Sequence, residues 1–333
     1  MAYMLDLAIA NLTSPVVLFF GLGLLITLVR AKVEFPSAIS DFISIYLLVA
    51  IGLKGGAAIA SAGLSSVFIT IAGAVFLGFI IPVYSFYILW RIGKLKSDDA
   101  AAIAGHYGSI SVVTFMAATA FLNNFEINYE GYLNGLPAVM EIPAIIVALV
   151  LASRAKNLKQ DSSAKQEMFF VQVIKKVVFS KSVVLLLGAM GVGYISGPKG
   201  MESVEFFFKD LFMGVLSLFM LEMGIVAAGK LSDLKKAGAF LVIFGILMPP
   251  FNAVIGTLVG VYAGLSVGGI TLLAVLAASS SYIVAPAAMR VSLPKANPAL
   301  YLGASLGVTL PFNLIFGIPL YYFMADYFLV MFR

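Results

Sequence analysis

Apolar runs of nearly 20 residues recur along the whole chain, and they constrain its fold more than any other feature. The hydrocarbon core of a bilayer is about 30 Å thick and is crossed by about 20 apolar residues in a helix. The 333-residue chain is 62% hydrophobic and 11% charged, whereas a soluble domain has roughly 25% charged residues. The runs are continuously apolar rather than alternating, which argues against a transmembrane β-barrel. We therefore predict an all-α membrane protein.

The sequence predicts ten transmembrane helices, at residues 14–30, 37–58, 65–90, 100–122, 136–153, 181–197, 209–229, 237–263, 267–289 and 298–326. If the N-terminus lies outside, 17 of the 21 Lys and Arg residues fall in inner loops or at their edges. The positive-inside rule then predicts that both termini lie outside and that loop 154–180 is cytoplasmic. We expect a multi-pass protein of the bacterial inner membrane.

Two serine clusters interrupt these apolar segments. Ser279, Ser280 and Ser281 lie in the ninth segment and are followed by Pro286, while Gly108-Ser109-Ile110-Ser111 lies in the fourth. Hydroxyls compete for backbone hydrogen bonds and proline removes one. Such an interruption is tolerated at membrane depth only inside protein or along a cavity. We predict that helices 4 and 9 are broken, a pattern typical of a transporter's binding site.

The two halves of the chain match at an offset of 167 to 170 residues. The matches are Ser14–Gly21 with Lys181–Gly188, Asp41 with Asp210, Gly55 with Gly224, Pro82 with Pro250, Ser109 and Ser111 with Ser279 and Ser281, and Tyr132 with Tyr301. Five helices per repeat is an odd number, so the second copy enters the membrane from the opposite side. We predict an inverted 5+5 repeat, with residues 1–153 and 181–333 as its halves.

The broken helices predict an anion site. Each second half-helix would present free backbone N–H groups and a positive dipole end near the midplane, and inverted symmetry would make the two ends converge. The candidate substrate-binding residues are Ser109, Ser111 and Thr114 in the first half and Ser279, Ser280 and Ser281 in the second. The alternative is that these small residues only allow close helix packing.

Four further residues are candidates because charged and polar side chains inside a membrane are costly. Lys54 and Glu222 occupy nearly equivalent places in the two repeats, which predicts an ion pair; the alternative is a snorkelling Lys54 and an isolated Glu222. Glu141 and Asn313 lie beside prolines in matching helices and are candidate cation ligands. A structural role is more usual for a single histidine such as His106.

Several motifs resemble the cyanobacterial sodium-dependent bicarbonate transporter family. They are Ala277-Ala278-Ser279-Ser280-Ser281, Pro286, Arg290, Pro294, Ala296-Asn297-Pro298, Tyr301, Gly303, Ile51-Gly52-Leu53, Gly55-Gly56 and Ile142-Pro143-Ala144. The resemblance implies a ten-helix inverted repeat in which a core domain (helices 3–5 and 8–10) moves against a gate or scaffold domain (helices 1, 2, 6 and 7). It also implies a homotrimer, sodium-coupled bicarbonate uptake and control by a PII-like cytoplasmic protein.

The chain departs from this family at specific positions. Tyr282 follows the serines where the family has an acid, and we include Tyr282 among the candidate cation ligands. Val112 and Val113 replace small polar residues of the family. The family's intramembrane lysine and glutamate stand at the positions of Ala50 and Val226, four residues from Lys54 and Glu222. A shift of four residues keeps both charges on the same helix faces.

We expect a secondary transporter that imports a small anion, with bicarbonate as the first candidate and sodium as the coupling ion. A cation-coupled symporter of a small organic carboxylate is one alternative, and a membrane sensor or channel is the second. The chain has no cysteine and one histidine, and no nucleophile–base pair is apparent, so an enzyme is not expected. We expect no cofactor beyond a bound Na⁺, and no nucleic acid among its partners.

Overall fold

The computed structural model describes residues 2–31, 33–62, 67–155, 175, 178–282 and 284–332, which form helices and turns without a strand. Most of loop 154–180 lies outside these residues. The helices are α1 (Ala2–Leu12), α2 (Pro15–Leu28), α3 (Ser37–Ala62), α4 (Phe68–Tyr87), α5 (Ser97–Gly108), α6 (Val112–Asn124), α7 (Leu136–Ala155), α8 (Lys181–Ser203), α9 (Phe212–Tyr262), α10 (Val267–Ala278), α11 (Val284–Ser292) and α12 (Pro298–Phe332, with two π-helical stretches).

The described residues contain eight helical segments long and apolar enough to cross a membrane, or nine if the pair α1–α2, bent by 52°, forms one span. The chain is therefore a multi-pass membrane protein. Each predicted segment overlaps a helix or a pair of helices. The ninth is not continuous, because α10 has 12 residues and is about 18 Å long, well short of the hydrocarbon thickness.

Two features of the helices differ from the predicted boundaries. Helix α1 precedes the first predicted segment, and its Asn11 side chain donates to the Leu314 carbonyl of α12 at 2.9 Å. Helix α9 contains both the seventh and the eighth predicted segments. Gly238 divides α9, because its φ of 78° is not helical and favours glycine.

One group of helices packs through close glycine contacts. Helix α2 packs on the first half of α9, up to Lys230, and α3 packs on α8. A Cβ atom built on Gly23 or Gly224 would lie 2.2 Å from a backbone oxygen of the facing helix, and one on Gly56 would lie 2.0 Å from such an oxygen. Gly56 lies one residue after Gly55, the sequence match of Gly224, so close crossings occur at nearly equivalent places in both halves of the chain.

A second group contains the broken helices. Helices α4, α5 and α7 pack together, and the second half of α9 packs on α10 and α12. Tyr84 of α4 donates to Asn252 Oδ1 of α9 at 2.6 Å, close to Pro82 and Pro250 within the same two helices. The candidate site lies where this group faces α3, α8 and the first half of α9.

Candidate functional site

Both serine clusters interrupt helices in the same way. Helix α5 ends before Ser109, whose φ and ψ are −80° and 169°, and α10 ends before Ser279, whose angles are −85° and 166°. The chain is thus extended at equivalent residues of the two halves. The second half-helices begin three residues after Ser109, at Val112 (α6), and five residues after Ser279, at Val284 (α11).

The two breaks are hydrogen-bonded to each other. The Ser111 N–H donates to Ser279 Oγ at 2.9 Å, and the Ser281 N–H donates to the His106 carbonyl oxygen at 2.8 Å. Buried backbone groups need such partners, and here each break supplies one for the other. These two N–H groups, expected to be free for an anion, are therefore used to join the broken helices.

The N–H groups that remain at the half-helix starts belong to valines. Val112 and Val113 begin α6, and Val284 begins α11, so their N–H groups precede the first helical carbonyl acceptors. All three residues line the same cavity. The sequence prediction missed them because a valine side chain gives no sign that its backbone faces a polar site.

Two of the six predicted hydroxyls face this cavity. Ser111 Oγ accepts from the Thr114 N–H at 3.1 Å, and Ser281 Oγ accepts from the Ala285 N–H at 3.3 Å. A serine hydroxyl that accepts one bond keeps its own proton to donate. Ser111 and Ser281 can therefore each cap a half-helix and donate to an anion at the same time.

The other four predicted hydroxyls lie away from the cavity lining. Ser279 accepts from Ser111 and donates to the Leu276 carbonyl at 2.9 Å, while Ser280 shares a 2.7 Å hydrogen bond with Ser305. The hydroxyls of Ser109 and Thr114 are buried without a hydrogen-bond partner. The structure thus brings Ser279 and Ser280 into the joint between helices and gives Ser109 and Thr114 no contact that assigns them a role.

The cavity has a volume of about 180 Å³ and separates the two groups of helices. Its wall is mixed: the lining residues are Asp41, Ser44, Leu47, Leu48, Ile110, Ser111, Val112, Val113, Met116, Glu141, Lys181, Ser182, Phe219, Ser281, Tyr282 and Val284. Ser44 and Ser182 are further hydroxyls that sequence reasoning missed, because single serines in apolar helices are more often packing residues.

An exposed ion pair marks one end of the cavity. Lys181 Nζ lies 2.6 Å from Asp41 Oδ1, and the side chains are 48% and 68% exposed. An ion pair this exposed contributes at most about 1 kcal/mol to stability. Asp41 and Lys181 lie in the first turns of helices that start at the predicted inner surface, so this end is the one predicted to face the cytoplasm.

Among the predicted cation ligands, Glu141 and Tyr282 line the cavity and Asn313 does not. Glu141 Oε2 is buried without a hydrogen-bond partner, and so is the Tyr282 hydroxyl, which lies close to the Ser111 side chain. Within the described part of the chain, three or more His, Cys, Asp or Glu residues never group as metal ligands would.

Asn313 is instead a cap for a broken helix. Its Nδ2 donates to the Ala278 carbonyl, the last of α10, at 3.0 Å, and its Oδ1 accepts from the Tyr321 hydroxyl at 2.6 Å. Both ends of the buried amide are bonded within the protein. The sequence groups Asn313 with Glu141 and Tyr282 because the proline beside it predicts unwound backbone; in the structure its side chain satisfies backbone left by the break in another helix.

The predicted Lys54–Glu222 ion pair is not formed in this structure. The Lys54 ammonium lies 4.4 Å from the centre of the Phe212 ring, near Lys209 and Asp210. Glu222 lies ten residues further along α9, about 15 Å from Phe212 along the helix axis, and its Oε2 has no hydrogen-bond partner. Two residues at equivalent positions of an inverted repeat need not lie at the same depth in the membrane, so their side chains need not meet.

His106 lies behind the site. Its ring stacks on Tyr301 with centres 4.5 Å apart, and Nδ1 lies 2.6 Å from the Ala102 carbonyl oxygen. Its own carbonyl accepts from Ser281. These contacts fit the structural role expected from the sequence.

Broken helices whose interrupted ends meet beside a polar cavity, within a bundle of apolar helices, are typical of membrane transporters. The family model of the Na⁺-dependent bicarbonate transporter superfamily matches residues 15–326. The chain therefore belongs to this superfamily, and the match confirms the resemblance that its sequence motifs indicated. No curated protein matches the chain. Membership of a transporter family implies that the protein is not an enzyme.

Proposed function

We propose that the protein is a secondary transporter that imports bicarbonate together with sodium. The observation that carries the proposal is the pair Ser111 and Ser281, hydroxyls from opposite halves of the chain that face one cavity. The match to a Na⁺-dependent bicarbonate transporter superfamily supports both the anion and the coupling ion.

The chemistry of the cavity suits a small, weakly bound anion. Hydroxyl and backbone N–H donors from Ser111, Ser281 and the first turns of α6 and α11 can bind an oxyanion. Lys181, the cation in the lining, is paired with Asp41 at the exposed end. Binding through neutral donors stays weak enough for release on the other side of the membrane.

The architecture proposed for this transport is a ten-helix inverted repeat. The matched backbone angles at Ser109 and Ser279, and the nearly equivalent close crossings at Gly56 and Gly224, support it. Helices α4–α7, the second half of α9 and α10–α12 would form the core domain, and α2, α3, α8 and the first half of α9 the scaffold. Alternating access would move the core against the scaffold and open the cavity to each side in turn.

The proposed function is tested by uptake of radiolabelled bicarbonate into proteoliposomes, with and without a sodium gradient. The Ser111→Ala, Ser281→Ala double variant should lower uptake by about 100-fold or more, because two hydrogen bonds to a charged group are worth about 3–6 kcal/mol. Ser217→Ala is the matched control, since its hydroxyl bonds the Met213 carbonyl at 2.8 Å outside the cavity. Normal uptake by a folded double variant would contradict the proposal.

A small organic carboxylate is the second candidate substrate, and the apolar part of the lining favours it. Leu47, Leu48, Val113, Met116 and Phe219 could surround an alkyl tail. A dry cavity of about 150 Å³ is large enough for benzene, so about 180 Å³ exceeds the needs of bicarbonate. Uptake of acetate or propionate without uptake of bicarbonate would establish this candidate. A current that does not saturate would indicate a channel.

We extend the proposal to assembly and location on the basis of the family. The protein would form a homotrimer in the bacterial inner membrane, with both termini outside and a PII-like regulator on the cytoplasmic side. Light scattering of the detergent-solubilised protein tests the trimer through its mass, and co-purification with a PII-like protein tests the regulator. A monomer at working concentrations would contradict the first proposal.

A further inference from the structure

Glu141 is the least satisfied charged group in the wall of the cavity. Its side chain is 2% exposed, its Oε2 has no hydrogen-bond partner, and α7 places it at membrane depth. Beside it, a smaller recess is lined mainly by Leu48, Val112, Pro137, Ala138, Val183 and Leu186. A bare carboxylate in such surroundings is strongly unfavourable unless something neutralises it.

Among the residues that the structure describes, no basic side chain forms an ion pair with Glu141. Lys181 is the basic residue in the cavity lining, and it is paired with Asp41 at 2.6 Å at the exposed end. Among the described residues, Glu141 takes part in no ion pair, and its Oε2 accepts no hydrogen bond. Several titratable side chains on elements packed against α7 have other partners: Tyr84 bonds Asn252, His106 bonds Ala102, and Tyr107 bonds Thr309.

The same cavity is lined by Ser111 and Ser281, whose hydroxyls can donate hydrogen bonds to an anion. A charged Glu141 and a bound anion would therefore repel each other across a small space of low dielectric. The Tyr282 hydroxyl, also buried without a hydrogen-bond partner, offers a second oxygen in the lining of the same cavity. A buried carboxylate and a hydroxyl oxygen beside the anion site are suited to binding a monovalent cation.

We infer that a sodium ion bound at Glu141 makes anion binding conditional on sodium. Without sodium, the carboxylate excludes the anion from the cavity; with sodium bound, the local charge is cancelled and the hydroxyl donors can hold the anion. This inference rests on the proposed function and specifies how its two ions are coupled. It also gives Tyr282 a role as a neutral oxygen ligand where the family has an acid.

Conditional binding has a reciprocal signature in the unaltered protein. If sodium strengthens anion binding by some factor, the anion must strengthen sodium binding by the same factor. Coupling of this kind is typically roughly 5- to 150-fold. We expect sodium to lower the KM for bicarbonate by a factor in this range, and bicarbonate to lower the sodium Kd equally. Independent binding of the two ions would overturn the inference.

The decisive variant is Glu141→Gln, which removes the charge and keeps the shape. We expect uptake without sodium, and a KM for bicarbonate that sodium no longer changes. Glu141→Asp keeps the charge and should keep the sodium dependence. Glu222→Gln is the matched control, because Glu222 is also a carboxyl at membrane depth with an unpartnered oxygen but lies outside the cavity lining; its sodium dependence should persist.

The outcomes separate this inference from the function on which it rests. If the unaltered protein takes up bicarbonate with sodium and folded Glu141→Gln remains equally sodium-dependent, the inference is wrong and the function stands. If Glu141→Gln does not fold, reciprocal binding in the unaltered protein decides. If uptake follows a proton gradient and ignores sodium, the inference is wrong. If the unaltered protein takes up no bicarbonate under any gradient, the proposed function fails first.

Discussion

A serine hydroxyl can donate one hydrogen bond and accept two, and this capacity distinguishes the hydroxyls at the broken helices. Ser279 both accepts from Ser111 and donates to Leu276, so it holds the two breaks together. Ser111 and Ser281 each accept one bond and keep a proton to donate. From the sequence these serines are equivalent; the difference arises from what stands opposite each one.

Asn313 gives a prediction at the same scale. Asn313→Ala should lower the free energy of unfolding by about 2–6 kcal/mol, because the Ala278 carbonyl and the Tyr321 hydroxyl would both be buried without a partner. Thermal unfolding in detergent measures this loss. Residual uptake should keep its sodium dependence. Unchanged thermal stability with altered sodium dependence would show that Asn313 is a cation ligand after all.

At the scale of elements, glycine determines how closely helices α3 and α8 approach. A Cβ atom built on Gly193 would lie 2.3 Å from the Leu53 carbonyl oxygen, whereas one on Gly191, two residues away on the same helix, meets nothing within 4 Å. The crossing therefore depends on the face of α8 that carries Gly193, whereas the space beside Gly191 is open among the described residues.

This contrast predicts opposite effects of the same substitution. Gly193→Ala should destabilise the protein by about 1–3 kcal/mol through overpacking at the crossing. Gly191→Ala should be neutral or slightly stabilising, because alanine has the higher helix propensity. Thermal unfolding of the two variants side by side checks the prediction. Equal shifts would show that the crossing relaxes at no cost.

For the whole molecule, the predicted distribution of Lys and Arg and the position of the cavity are linked. The ion pair Lys181–Asp41 lies at an exposed end of the cavity, at helix starts that the positive-inside rule assigns to the cytoplasm. In the predicted orientation, the cavity of this structure therefore opens toward the cytoplasm.

Single cysteines can test that orientation without background, because the chain has none of its own. A cysteine at Thr13 should react with a membrane-impermeant maleimide added to intact cells, and one at Lys96 should react only after the membrane is opened. Both positions are exposed in the structure. The reverse pattern would place both termini inside and the cavity opening outside.

The sequence by itself determined the class of fold, because long apolar runs admit few structures in a bilayer and serine–proline clusters do not sit in plain helices. It also indicated the region of the site, since Ser111, Ser281, Glu141 and Tyr282 all line the cavity. These conclusions follow from solvation and local backbone chemistry, which act within a segment and can be inferred from its residues.

Only the tertiary structure decided which partners each polar group meets. The bonds between the two breaks, the cap that Asn313 places on α10, the distance between Lys54 and Glu222, and the valine N–H groups at the half-helix starts all join or separate residues far apart in the chain. A hydrogen bond depends on distances of a few tenths of an ångström, which arise from the packing of whole helices. No local pattern of residues records them.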